Sequence, residues 1–448
     1  MNLFELRRRV QEYQTCGAGI SPVTNILVFR DLDHEKSYYL AGAVRPRLPR
    51  ATRPSRVLGC AQGPGRRTSS KTQEAMKFLI LALDVDLSRR AGDATHLREL
   101  CSNLVRMGQP VEVVVAGGQD ANEIESVPIH VVSGPRLWSV IRQVRPIIQE
   151  FQPDLIYERR VSPKVSFVLS RLFRVPFAVE VNGLPDEERS LLLGKDYRSS
   201  WFHIRIHRML LCRARTIVAV SDSLKLALIQ KYRLPPARVQ VVPNGVNTDL
   251  FVPMDRSSCR FRIGLRGNDP VLGFIGNLVP WQGVDIMIRA IAEIRRQGTG
   301  VHMLVVGEGP DRTNLEVLAE SEGLGGCSTF TGSVPYRDVP TYIGALDIAL
   351  SLKPPLLPGS PLKVREYMAC ARPVVASRGT GYDFGIVEEA SAGVLVDPSN
   401  IREVVTAIVD LLSDEPRRAE MGARGREFAV LRCKWSRVAQ QIVAACGG

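Results

Sequence analysis

The chain has 448 residues, 45% hydrophobic and 23% charged, an ordinary globular balance with room for two large domains. No apolar run reaches membrane-span length, and no N-terminal segment has a signal-peptide pattern. The net charge of +13 is uneven: residues 1–75 carry 13 Lys+Arg against 6 Asp+Glu, over half of the surplus.

That first stretch includes Arg45-Pro-Arg-Leu-Pro-Arg, Arg53-Pro-Ser-Arg and Gly63-Pro-Gly-Arg-Arg, with no sustained period. It is expected to be a basic, largely disordered extension (1–75), with no nucleic-acid partner. Met76, directly before the first clear strand, is an alternative start. Nine scattered cysteines, odd in number and without a CxxC pair, suggest neither a disulfide framework nor a zinc site. They point to a reducing cytoplasm.

From Met76 the pattern becomes regular. Phe78-Leu-Ile-Leu-Ala-Leu reads as a strand buried on both faces. A Gly-containing loop follows at Ser88–Asp93, then an amphipathic helix from about Ala94 to Arg106. Strands are expected at Val111–Ala116, Asp154–Tyr157, Phe177–Val181 and Thr216–Val220, with helices between most of them. Val239–Val246 closes this half, and residues 252–270 read as a connector. A second series starts at Val271–Gly276. It continues through His302–Gly307, Thr329–Gly332, Ile348–Ser351, Val374–Ala376 and Val394–Val396, and ends in helices from about Ile401, with Trp435 in the last. Such alternation predicts parallel sheets covered by helices. The fold class is α/β: two Rossmann-like, doubly wound domains facing across a cleft, the expected place for a ligand. The predicted pieces are 1–75, 76–252, 253–430 and a C-terminal helix at 431–448.

The most informative segment is the helix beginning near Ser360-Pro361-Leu362-Lys363. Ser360 suits the N-cap and Pro361 the first helical position. The amides of Leu362 and Lys363 are then free to meet a phosphate. Glu366, three residues on, shares a face with Lys363 about one turn, roughly 5 Å, away. A nucleoside diphosphate followed by its ribose has this layout. A capped helix with a surface ion pair is the plainer reading.

Several segments, in order, resemble the glycosyltransferase family 4 enzymes of the GT-B fold. Val242-Pro-Asn-Gly-Val-Asn-Thr-Asp-Leu-Phe251 resembles the inter-domain motif. Gly276-Asn-Leu-Val-Pro-Trp-Gln-Gly283 and Gly307-Glu-Gly-Pro310 resemble two donor-site loops. Phe330-Thr-Gly-Ser-Val334 resembles the segment that meets the base, and Gly359–Ala369 the ribose and phosphate motif. In the first half, Gly92-Asp-Ala-Thr-His96, Tyr157-Glu-Arg159 and Glu180-Val-Asn182 resemble the acceptor domain. The resemblance runs from about Met76 to the C-terminus.

The resemblance implies a cytoplasmic, metal-independent, retaining glycosyltransferase, working without a cofactor, at the inner face of the membrane in one version. It would move a sugar from a UDP- or GDP-sugar to a glycan, lipid-linked or small-molecule acceptor, as in cell-envelope polysaccharide synthesis. Ser360, Leu362 and Lys363 would bind the diphosphate, Glu366 the ribose, and backbone near Val334 the base. Gly276, Asn277, Gln282 and Gly307 complete the donor side. Gly92, His96, Glu158 and Arg159 fall on the acceptor side, and no metal ligand is expected. The alternative is a catalytically weak homologue that binds nucleotide sugar or scaffolds glycan assembly. Another GT-B activity, epimerase or sugar-nucleotide synthase, is a third reading.

Three departures qualify the implication. Asn277 and Gln282 stand where the family usually has Arg and Lys. Pro358 replaces the first carboxylate of the Glu-x7-Glu pattern. Asn182 replaces a common His, so it would serve by hydrogen bonding, not as an acid or base. Lys363 is thus expected to be a principal cation at the phosphates, alongside Arg89 or Arg90. Asp84-Val-Asp86 is not expected to hold metal. The basic, apolar-striped helix at Trp201–Arg213 reads as core packing with a solvated edge, and membrane-surface contact is the sharper alternative.

Overall fold

The computed structural model describes residues 28–30, 37–39, 75–87, 92–116, 124, 126–134, 136–160, 162–193, 200–354, 358–379 and 381–447. The chain divides into two compact units, Met1–Gln73 and Glu74–Gly448. The described part of the first is an antiparallel pair, β1 (Val28–Arg30) with β2 (Ser37–Tyr39). The paired segments hold Val28, Phe29, Tyr38 and Tyr39, all good strand formers, and the rest of the extension expected to be largely disordered lies outside the described residues up to Glu74.

The second unit holds two parallel sheets. The seven-stranded one has β3 (Phe78–Ala82), β4 (Val111–Ala116), β5 (Ile129–Val132), β6 (Leu155–Glu158), β7 (Phe177–Val181), β8 (Ile217–Ala219) and β9 (Val239–Val241), in the order β5-β4-β3-β6-β7-β8-β9. The six-stranded one has β10 (Val271–Ile275), β11 (His302–Val306), β12 (Ser328–Phe330), β13 (Ile348–Ser351), β14 (Val374–Ser377) and β15 (Gly393–Val396), ordered β12-β11-β10-β13-β14-β15. Each is doubly wound, with its strand order reversing once, between β3 and β6 and between β10 and β13.

Alternation along the strands builds a core on each face. On β3, Phe78, Ile80 and Ala82 enter one cluster and Leu79 and Leu81 the other. On β10, Leu272 and Phe274 face one side, Val271 and Ile275 the opposite one.

The helices that matter for the site are α1 (Gly92–Arg106), α2 (Leu137–Phe151), α3 (Lys164–Phe173), α4 (Pro185–Leu193), α5 (Trp201–Leu211), α6 (Asp222–Tyr232), α7 (Arg256–Arg262), α8 (Val284–Arg296), α9 (Arg312–Ser321), α10 (Val339–Gly344), α11 (Leu362–Ala369) and α12 (Gly385–Glu389). The chain ends in α13 (Ile401–Ser413), α14 (Glu415–Arg432) and α15 (Trp435–Gly447). The 252–270 connector contains α7, capped by Asp255, whose side chain accepts from Ser258 N. One boundary is corrected, that of the last helix. The final helix is not a continuation from 431: α14 ends at Arg432, and Val246 N donates to Cys433 O across 2.7 Å at the break. α15 then packs on α1, placing Trp435, Val438, Ala439 and Ile442 in the core that holds Phe78 and Leu97. The chain's end thus stabilises the first sheet.

Candidate functional site

Ligands of doubly wound sheets bind beyond the carboxyl ends of the strands, where the order reverses. In the second sheet this point is framed by the loop after β10 and the chain after β13, which leads into α11. The built position of a Cβ on Gly283 falls 1.7 Å from Leu352 O, so the two loops touch through backbone at a residue whose φ is 72°. Gly307 touches the first loop equally closely: its missing Cβ would lie 2.0 Å from Gly276 O.

The start of α11 differs from expectation. Its N-cap is Pro361, with no side-chain cap, and Leu362 is the first helical residue. Ser360 does not cap because its hydroxyl is taken: Arg365 Nη1 donates to Ser360 Oγ at 2.9 Å and to Pro361 O at 3.2 Å. Arg365 is buried and also reaches Asp383. The N–H groups of Leu362 and Lys363 thus have no side-chain acceptor from a cap and stand at the positive end of the helix.

Lys363 turns back toward β10. Its Nζ donates to Gln282 Oε1 at 2.6 Å and lies 4.2 Å from the Phe274 ring centroid. Gly276 makes the room, since a Cβ there would meet Lys363 Cε at 2.9 Å. Gln282, expected as a donor to the ligand, thus presents its carbonyl to the lysine, leaving its NH2 for other partners. Asn277 is exposed at the lip. Burial pulls the Lys363 ammonium down to about 7, with Glu366 opposing. Burial pushes Glu366 up to about 7, with Lys363 opposing. Val334 is half-buried in the loop after β12, whose turn is made at Gly332.

Across from α11 stands the first sheet's own reversal point. Gly92 opens α1, and its missing Cβ would lie 3.5 Å from Leu362 Cδ1, so two helix N-termini face one another. Asn244 Nδ2 also donates to Ser360 O at 3.3 Å, and Ser223 Oγ donates to Gly381 O.

Beneath Gly92 lies a buried polar cluster centred on Glu180. Its carboxylate accepts from Tyr157 OH at 2.7 Å, Arg159 Nε at 2.9 Å and Asn182 Nδ2 at 2.7 Å. Its carboxyl sits well below the usual range: burial pushes it up, but the nearby His96 and Arg159 and these donors outweigh burial. His96 Nε2 is 3.3 Å from Glu180 Oε1 without hydrogen-bond alignment, and its ring lies against Trp435, centroids 4.9 Å apart. Burial lowers the imidazole despite Glu180. Arg159 therefore pairs with Glu180, not Glu158. Glu158 is buried separately, accepting from Ser166 N at 3.0 Å while its Oε1 has no partner, and burial raises it to about 7.

The structure thus brings Gly276, Gln282, Gly307, Leu362, Lys363 and Glu366 together, with Gly92 opposite, while His96, Arg159 and Asn182 belong to the cluster beneath. Arg89 and Arg90 lie outside the described residues. Asp84 lies 3.8 Å from Arg160. On α5, Leu210 and Leu211 are buried and Ile204 packs partly against the same core, as expected of a core-packed stripe, while Trp201 and Phe202 of the first turn are exposed.

Two residues escaped the sequence reading. Glu180 lies in the Glu180-Val-Asn182 segment, where the sequence alone assigns it no role. Lys353, just after β13, is only 4% exposed, with Nζ 3.6 Å from the Tyr382 ring centroid. Its place after a strand at the reversal point was the available signal.

Comparison with known proteins adds independent observations. The family model "Glycosyltransferase Family 4" matches residues 91–250, and "Glycosyl transferases group 1" matches 255–428; together they span about three quarters of the chain. A GDP-mannose-dependent alpha-(1-6)-phosphatidylinositol monomannoside mannosyltransferase from Mycolicibacterium smegmatis is 33% identical over 45% of this chain and 54% of its own. The chain spans about half the length of the first curated relatives it matches. A D-inositol 3-phosphate glycosyltransferase from Acidothermus cellulolyticus is 26% identical over 88% of this chain and 87% of its own. Among solved structures, Anabaena HepE in complex with UDP superposes with a TM-score of 0.69 at 22% identity, covering 83% of this chain and 100% of that one.

Proposed function

The chain belongs to glycosyltransferase family 4, with the GT-B fold, and on that premise we propose that it transfers a sugar from a nucleoside-diphosphate sugar to a glycan, lipid-linked or small-molecule acceptor. The observation that carries this reading is the start of α11, where uncapped N–H groups, the Lys363 ammonium and the Glu366 carboxyl share one helix end whose first residue, Leu362, meets Gly92 across the cleft.

Each group has a part. The leaving diphosphate gains charge as the bond from the sugar's anomeric carbon breaks, and the helix end and Lys363 would stabilise that charge. A bound dianion also favours the charged form of Lys363, offsetting the burial that lowers it when the site is empty. Glu366 would accept from the ribose hydroxyls, and backbone near Val334 would meet the base. The acceptor oxygen forms the new bond to the anomeric carbon, and its proton passes to the departing diphosphate. Asn182, oriented by Glu180, would hydrogen-bond the acceptor or the transferred sugar. Retention of configuration and independence from metal are part of the proposal, as is a site of action at the inner face of the membrane. Exposed Trp201 and Phe202, with Arg205 and Arg208 on the same helix, supply a surface for lipid contact.

The named donor of the smegmatis relative is GDP-mannose, and HepE is seen with UDP. The test is release of nucleoside diphosphate over a panel of GDP- and UDP-sugars with inositol-phosphate and lipid acceptors, run with and without EDTA. The product anomer is then read by NMR. Turnover with one donor and a retained anomer supports the reading. Donor binding without any turnover favours instead the weak homologue, a reading to which Pro358 and the uncharged Asn277 and Gln282 lend support.

A further inference from the structure

Asn277 and Gln282 leave the loop after β10 without a cation, yet a second lysine reaches the same place from a different loop. We propose that Lys353 is a second cation for the leaving diphosphate, taking over the charge absent at Asn277 and Gln282, and that Glu188 of the opposite domain is its counter-ion when the site is empty. The inference rests on the glycosyltransferase reading above.

Four observations place Lys353 there. It directly follows β13, the strand at the reversal point of the second sheet. Its backbone lies against Gly283, the neighbour of the Gln282 that holds Lys363 Nζ. Its own Nζ sits on the Tyr382 ring, and that ring packs against Gly359, whose built Cβ would lie 2.8 Å from it, one residue before Ser360. Although the residue is only 4% exposed, no hydrogen-bond acceptor among the described residues reaches its ammonium. The tyrosine face is a weak substitute for an anion.

The charges around it suit the binding of a dianion. Burial and the neighbouring Lys363 both disfavour a charged Lys353, and Glu188 alone favours it. Glu188 is drawn in turn: burial raises its carboxyl, and Lys353 opposes this. Glu188 belongs to α4, after β7 of the first sheet, and α4 packs against the Pro280–Gln282 turn next to Gly283, so it approaches Lys353 from the opposite side of the cleft. Lys363 has Glu366 beside it on the same helix, whereas Lys353 has only Glu188 from across the cleft, and a diphosphate would give both lysines an anion in common. On binding, Lys353 exchanges Glu188 for phosphate oxygens.

The test is calorimetric binding of UDP and GDP, and of uridine and guanosine, to the full chain and to Lys353→Met, Lys353→Arg and Glu188→Gln. Lys353→Met should weaken diphosphate binding 10-fold or more while leaving nucleoside binding unchanged. It should also lower the salt dependence of diphosphate binding by about one charge. Lys353→Arg should restore most of the affinity, and Glu188→Gln should tighten it several-fold by removing the competitor. Wild-type diphosphate affinity in Lys353→Met, or equal losses for nucleoside and diphosphate, overturns the inference alone. A Lys353→Met chain that does not fold shifts the decision to Glu188→Gln, where unchanged or weaker binding overturns it. A wild-type chain that binds no nucleoside diphosphate overturns both this inference and the reading beneath it.

Discussion

Gly92 and Leu362 meet across the cleft, the built Cβ of one 3.5 Å from Cδ1 of the other. Each begins a helix, so two positive helix ends converge on one space. The 3.5 Å contact is ordinary, and Gly92 has no positive φ, so Gly92→Ala should bind donor as wild type does. Gly92→Phe should fill the gap, holding the domains apart and lowering kcat/KM at least 10-fold. Steady-state kinetics on both variants check this.

Lys363 and Glu366 divide two tasks on one helix face. Lys363→Met should lower kcat more than it raises KM, because the charge it meets grows in the transition state. Loss of one charge-assisted hydrogen bond is worth about 1.5–3 kcal/mol, roughly 10- to 100-fold. Glu366→Ala should mainly raise KM for the donor, since ribose contacts are equal in ground and transition states. Both variants at wild-type activity would show that the donor site is elsewhere.

Gly276 exists to make room for that lysine. With φ of 149° and a built Cβ only 2.9 Å from Lys363 Cε, Gly276→Ala both strains the backbone and displaces the ammonium. The strain should cost about 1–3 kcal/mol in chemical denaturation. The activity loss should match that of Lys363→Met, and combining the two should add little further loss.

These residues also show what sequence could and could not reveal. The strands β3 and β10 are continuous apolar runs, so they were legible, as were the glycines of the donor loops. β5 is less legible because it is a four-residue edge strand, Ile-His-Val-Val, too short to show a sustained period and interrupted by a histidine. The cap at Ser360 was misplaced because local preference favours serine, while a buried arginine from the next turn claims its hydroxyl. Lys353 and Glu180 were passed over because their partners, Tyr382 and Arg159, come from other segments, and only folding brings them together. The docking of α15 onto the first sheet was equally invisible, being a contact between opposite ends of the second unit.

That docking makes a strong stability prediction. Trp435 is 2% exposed, packs in the core with Phe78 and Leu97, and lies so close to Gly245 that a Cβ there would sit 2.7 Å from its ring. Trp435→Ala should cost about 3–5 kcal/mol, measured by urea unfolding. Gly245→Ala should also destabilise, because the ring has to move. A Trp435→Ala chain as stable as wild type would mean α15 is not part of this core.

Glu158 gives a pH signature of its own. Burial raises its carboxyl from the usual carboxylate range to about 7 in the folded chain, with Oε1 unpaired. Between about pH 4.5 and 7 the folded state therefore holds a proton that the unfolded state releases. This contribution to stability is fully present below that window and is lost as pH rises through 7. Glu158→Gln has no such titration, and its carbonyl can still accept from Ser166 N. Its melting temperature relative to wild type should thus rise steadily from pH 5 to pH 7 and level off above pH 8. A difference that stays flat across this range would mean that Glu158 is not held protonated by its buried site.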